Sequence, residues 1–336
     1  VTTSFTACSP IYVIRAGIAE AKILAARRPI PEVILDDSTD ERTRVMLTWA
    51  REARTFARED LELDVGDAYT SFTQLESDTL ALVLSAAYPD QLRSVTWWFP
   101  IVGRVPYRGY FSEDQARKEQ EKLDADGYDT LLRPTAAFST LGWFADPLLS
   151  TLLRGDEIEL VETILHELSH NHLFVGGSVR FNESFATFVG RAGAVEFFCG
   201  REGGGPETVK CQRAEARWRD VQRYSGFIDG LIEELQGVYS DPSLTREAKL
   251  EQRQVVWDEM RVRFEAEVAP TFESLRFGGL MQAPLNNATL LGQMRYYHRI
   301  PDFAALLERE GSLKAAVAHL AAGADRVSDP FELLGG

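Results

Sequence analysis

Two histidines four residues apart with a glutamate beside the first, His166-Glu167-Leu168-Ser169-His170, are the side chains of this sequence best suited to chemistry. On an α-helix, residues at i and i+4 stand one above the other, so both imidazoles can reach a single ion while Glu167 points beside it. That arrangement suits a hydrolytic zinc centre, which takes three protein ligands and keeps one position for water. The third ligand has to come from another segment, and Glu183 in Asn182-Glu183-Ser184-Phe185-Ala186-Thr187 is the candidate. Glu167 is then the expected general base.

The flanking residues predict elements that would bring these groups together. Ile158, Leu160, Val161, Ile164, Leu165 and Leu168 form an apolar series at helical spacing, which carries the motif on one helix through Leu173. Gly176-Gly177 offers a turn, because glycine accepts positive φ at little cost. A second helix is expected over Phe181 to Phe198, with Asn182 near its start and Glu183 in its first turn, facing back toward the first helix. Thr187, one turn later on the same face, is placed to hydrogen-bond the outer nitrogen of a ligating histidine, and Asn182 is grouped with it as a support for the ligands.

HELSH followed by NESFAT resembles the gluzincin metallopeptidases, in which two histidines and a downstream glutamate bind one zinc; Glu183 lies closer to the second histidine than in thermolysin. More specifically, WWFPIVGRVPYRGYF, AAFSTLGWFADPLLS, HELSHNHLF, FNESFATFVG and NNATLLGQMRYYHRIPDF resemble a bacterial family described as zinc aminopeptidases, over Trp97 to Phe303. The resemblance implies His166, His170 and Glu183 as zinc ligands. It also implies Tyr296 as the donor to the developing oxyanion, with Tyr297 and His298 as substitutes. Peptidases of this kind commonly add the substrate backbone to a sheet edge beside the metal helix, and Phe138 to Trp143 is the candidate edge, with Ser139, Gly142 and Trp143 as substrate-binding residues. A buried strand with Gly142 serving only a bend is the other reading.

The chain has 336 residues, 45% of them hydrophobic and 26% charged, an ordinary globular composition. A net charge of −15 argues against nucleic acid or an anionic membrane surface as partner and reads as a solvated acidic surface; a peptide substrate is the partner that the peptidase resemblance implies. No run of eighteen apolar residues exists to span a bilayer. Thr6-Ala7 before Cys8 resemble a lipoprotein cleavage site. Together with the family resemblance they give the expectation of a lipid anchor on Cys8 at the periplasmic side of a bacterial envelope; an ordinary free cysteine is the alternative. Cys199 and Cys211 flank GREGGGPETVK, a loop that a disulfide would close, although buried free thiols are also common.

Elsewhere the spacing predicts helices over Pro10 to Arg28 and Asp40 to Glu59, then strands between Thr79 and Tyr110. Ser112 with Gln115 reads as a capping box opening a helix to Ala125, ended by Gly127, and Leu131 to Trp143 returns to strand. Gln212 to Gln236 and Thr245 to Glu267 form a helical hairpin, and short helices follow from Asn286, where Asn286 and Asn287 either shape the pocket or cap the helix. His172 leaves the motif helix on another face, and His319 lies in an alanine-rich surface helix, so neither is expected to bind metal.

The expected fold is α+β: a zincin-like metallopeptidase core with a mixed sheet beside the metal-binding helix and a mostly helical C-terminal half. Residues 1–75 are expected to pack on a core of residues 76–200, and residues 201–336 to complete the cleft. The expected function is zinc-dependent peptide hydrolysis of aminopeptidase type. A cell-envelope endopeptidase and a non-catalytic zinc-binding protein are the other readings.

Overall fold

The fold is taken from a computed structural model that describes residues 22–75, 81–99, 103–110, 112–135, 146–278 and 285–335. Its centre is two antiparallel helices, α4 (Glu157–His172) and α5 (Val179–Gly200). Both bury apolar residues on nearly every face, as a helix enclosed by other helices must. Asp156 caps α4 by accepting from the amides of Ile158 and Glu159, and Gly177, at φ +82°, turns the chain back toward α5.

Before them come β1 (Arg28–Pro29), α1 (Ile30–Leu35), α2 (Glu41–Glu59) and β2 (Ser71–Thr73). Asp40 caps α2 through the Thr43 amide, and its face of Met46, Leu47, Ala50, Ala53 and Ala57 is buried in the core that includes α4. The following strands are β3 (Ala81–Ala87), β4 (Trp97–Phe99), β5 (Gly103–Val105) and β6 (Arg108–Tyr110). Helix α3 (Glu113–Ala125) leads to β7 (Asp129–Thr135) and β8 (Leu148–Leu149). After α5 run α6 (Val209–Ser240), α7 (Arg246–Arg263), α8 (Asn287–Tyr297), α9 (Ile300–Glu310) and α10 (Leu313–Gly323).

The described residues form three small sheets, one of them mixed. β1, β2 and β8 make a mixed sheet in which β2 pairs antiparallel with β1 and parallel with β8; Phe72 and Leu148 place it in the same core as α4. β6, β3 and β7 form an antiparallel sheet beneath α3 and α8, and β4 pairs with β5 alone. Prolines limit these strands, since proline cannot donate to a ladder: Pro29 ends β1, Pro106 separates β5 from β6, Pro147 precedes β8, and Pro134 is tolerated because β7 is an edge.

The three segments marked out in the sequence share one hydrophobic core, which joins Leu47 and Leu61 to Leu165, Phe185 and Phe188 and then to Val221, Ile300 and Leu313. The α6–α7 hairpin adds a second cluster around Trp257, Met260 and Leu231. Among the described residues no helix is long and apolar enough to cross a membrane.

Several boundaries differ from expectation. The first expected helix is helical over 22–25 and extended by Arg28; its earlier part, with Cys8, lies outside the described residues. Ser112 stands at the N-cap of α3 but makes no side-chain capping bond, so the capping box is absent. The strand expected from Leu131 begins at Asp129. The edge at Phe138 to Trp143, including Ser139, Gly142 and Trp143, falls outside the described residues. Helices α6 and α7 form the expected hairpin, α6 starting before Gln212 and α7 giving way to a π-helical turn at Phe264–Val268.

Candidate metal centre

Helix α4 presents His166 and His170 on one face, their rings edge to face with centroids 5.0 Å apart. Helix α5 brings Glu183 against them: Glu183 Oε2 is 3.4 Å from His166 Nε2 and 3.8 Å from His170 Nε2. Because α5 starts at Val179, Glu183 sits in its second turn rather than its first. The helices approach closely here because Gly190 and Gly193 carry no Cβ: one on Gly190 would stand 2.6 Å from the Glu162 carbonyl oxygen, one on Gly193 2.8 Å from Leu165 Cδ1.

These donors fit a divalent metal. Zinc bonds of about 2.0–2.2 Å in a tetrahedron set ligand atoms roughly 3.3–3.5 Å apart, and the three groups place their ligand atoms within 4.8 Å of one another. The Nδ1 atom of His170 is buried and among the described residues has no hydrogen-bond partner, an imidazole held by packing with its Nε2 turned to the Glu183 side.

The groups of the centre are half-buried and close enough to shift one another's proton affinities. Burial works to lower the His166 pKa, but the hydrogen bond to Glu183 and the charges of Glu167 and Glu183 outweigh it, and the net shift is upward. His170 goes the other way, down to about 4, through burial and the neighbouring His166. Burial opposes ionisation of Glu183, yet its contacts with His166 hold its carboxyl below the usual value. Glu167 is raised, mainly by burial, against His166 and with help from Glu183 and Asp146.

Tyr296, in the last turn of α8, stacks at a tilt on His166 with centroids 6.1 Å apart, and burial together with Glu183 pushes its pKa up to about 12. Its neighbours turn elsewhere. Tyr297 packs edge-on against Tyr224 and Phe277, and His298 Nδ1 lies 2.6 Å from Asp229, with its ring against Phe331. Neither substitutes for Tyr296.

The expected hydrogen bond from Thr187 to a histidine is absent: Thr187 is buried in α5, but no ligand nitrogen is its partner. Asn182 also leaves the ligands alone. Its Oδ1 accepts from the Val175 amide and its Nδ2 donates to the Val175 carbonyl, 2.9 Å each, so it pins the turn that returns Glu183 to the histidines. Asn286 caps α8 through the Thr289 amide, and Asn287 binds the carbonyls of Tyr88, Pro89 and Gln91, so both fix the helix on the sheet rather than face the centre. His172 Nδ1 accepts from the Asp64 amide, and His319 lies at the surface.

Cys199 and Cys211 form a disulfide across the connection between α5 and α6; Cys199 is in the last turn of one helix and Cys211 in the first of the next. Sequence reasoning missed Tyr107, Arg133 and Arg295, whose charges or rings act on the same centre. They come from the β5–β6 connection, β7 and α8, and no spacing rule joins residues so far apart.

No curated protein and no solved structure matches the chain significantly. The sequence profile of one family covers residues 11–327, and the chain accordingly belongs to the family described as "Putative aminopeptidase".

Proposed function

We propose that the chain is a zinc-dependent peptidase acting as an aminopeptidase. The observation that carries this reading is the convergence of His166, His170 and Glu183 beside a half-buried Glu167. Family membership supports the peptidase class. When bound, zinc supplies a Lewis acid that polarises the scissile carbonyl and makes water a nucleophile near neutral pH. His166, His170 and Glu183 would hold it, and the His/His/Glu donor set is that of a gluzincin-type centre.

The remaining work belongs to the protein. Glu167, its proton affinity raised by burial, takes a proton from the attacking water and returns it to the leaving nitrogen. Tyr296 stays protonated across the physiological range because its pKa is about 12, so its hydroxyl is a donor for the developing oxyanion. The Cys199–Cys211 disulfide supports an oxidising compartment such as the periplasm, in keeping with a lipid anchor on Cys8.

Glu167→Gln tests the assignment. The variant is expected to keep its zinc and to lose at least about a hundredfold in kcat, the lower range for removing a general base. Hydrolysis at the wild-type rate would contradict the mechanism. Aminopeptidase action further requires that acetylating the substrate amine abolish cleavage; undiminished cleavage of acetylated peptides would assign an endopeptidase.

A further inference from the structure

Arg295 is only 6% exposed, yet among the described residues its guanidinium makes no ion pair; its contact is the face of Tyr107, 4.9 Å from the ring centroid. Other sheltered arginines hold carboxylates: the buried Arg217 shares Glu162 with Arg191, and Arg253 holds Asp129. A buried guanidinium stacked on a ring and left without an anion is costly unless an anion arrives from outside.

A second cation converges on the same place. Along β7, Asp129 Oδ2 accepts from the Asn287 amide at the start of α8, and Leu131 lies 3.6 Å from where a Cβ on Gly292 would stand. Alternate residues of a strand share a face, so Arg133 continues this series toward the end of α8 that carries Arg295 and Tyr296. Arg133 is half-buried, and among the described residues it has no carboxylate partner either. Its charge acts on both Tyr107 and Tyr296, and that of Arg295 on those two and on Glu183. A cation serving only to steady Glu183 would explain Arg295 but not Arg133.

We propose that Arg133 and Arg295, flanked by Tyr107 and Tyr296, form a subsite for a carboxylate of the substrate, next to the metal centre on its Glu183 side. The inference deepens the peptidase reading and rests on it for the position of the cleft. Two guanidinium groups partly sheltered from solvent recognise a carboxylate through charge-assisted hydrogen bonds. In a protein of net charge −15 such a preference has to be local, since the overall field repels anions. The carboxylate has two sources: the C-terminus of a very short peptide, or an acidic side chain near the scissile bond.

Calorimetric titration of zinc-loaded Glu167→Gln protein separates them without relying on turnover. Ala-Ala is compared with its C-terminal amide, and Ala-Asp-Ala amide with Ala-Asn-Ala amide. The carboxylate-bearing member of one pair is expected to bind at least about tenfold more tightly, the first pair reporting a terminal and the second a side-chain carboxylate. Adding Arg295→Met or Arg133→Met should bring the ratio to within about twofold, with Arg295→Lys retaining part of it. Ratios near unity for both pairs, a ratio that survives both methionine substitutions, or no binding of any of the four peptides would overturn the inference. A carboxylate preference in a wild-type protein that hydrolyses none of these peptides would instead count against the peptidase reading and leave the subsite standing.

Discussion

Gly190 of α5 lies directly against the backbone of α4 at the metal motif: a Cβ there would stand 2.6 Å from the Glu162 carbonyl oxygen and 3.2 Å from His166 Cβ. The obstacle is backbone, which cannot rotate away. Gly190→Ala therefore has to push the two helices apart, and overpacking of this kind costs about 1–3 kcal/mol. Urea denaturation should show that loss, and zinc titration a weaker affinity, since Glu183 is carried on the displaced helix. Gly226→Ala in α6, where nothing lies within 4 Å, is the control and should be neutral or slightly stabilising. Unchanged stability and affinity in Gly190→Ala would show that the close approach does not set the ligand geometry.

Glu162, one turn before His166, is buried and accepts bonds of 2.8 and 2.6 Å from Arg217 and a further one from Arg191. The pairing ties α4 to α5 and α6 behind the metal face. Glu162→Gln keeps the volume and removes the charge, leaving the buried Arg217 uncompensated, a change expected to cost about 3 kcal/mol. Denaturant midpoints of wild type and variant measure it, and a difference within experimental error would mean that solvent reaches the arginines.

The disulfide joins the end of α5 to the start of α6 across a sequence separation of 12. In the chain-entropy model, closing so short a loop restricts the unfolded chain enough to contribute about 3 kcal/mol. The Cys199→Ser/Cys211→Ser double variant should lose stability of that order while keeping its metal, because the bridge lies at the far end of α5 from Glu183. Loss of metal together with stability would indicate that α5 depends on the bridge along its whole length.

What the sequence revealed follows from locality. The i, i+4 histidines, the glycine turn and the nearby glutamate lie within 18 residues, so helical spacing pairs His166 with His170 and a short turn suffices to return Glu183 to them. The cap at Asn286, one of the two roles its position allowed, is equally local. Asn182 and Thr187 were assigned from their distance along the helix, but that distance does not fix a rotamer or a competing partner; Asn182 found the Val175 backbone instead. Arg133, Arg295 and Tyr107 meet only because β7 and α8 pack in a particular register, which depends on contacts such as Asp129 with Asn287 that no local pattern encodes. How the strands divide among sheets was not legible, because an apolar, aromatic run predicts strands without telling which strand pairs with which.

The central claim is that one zinc ion is held by His166, His170 and Glu183, and elemental analysis after exhaustive dialysis tests it most directly. Mass spectrometry of wild-type protein should find one equivalent of zinc per chain, and the His166→Ala/His170→Ala variant, still folded by circular dichroism, should retain almost none. Wild-type protein that takes up no zinc when supplied with it, or a folded double variant that binds as much as the wild type, would contradict the account.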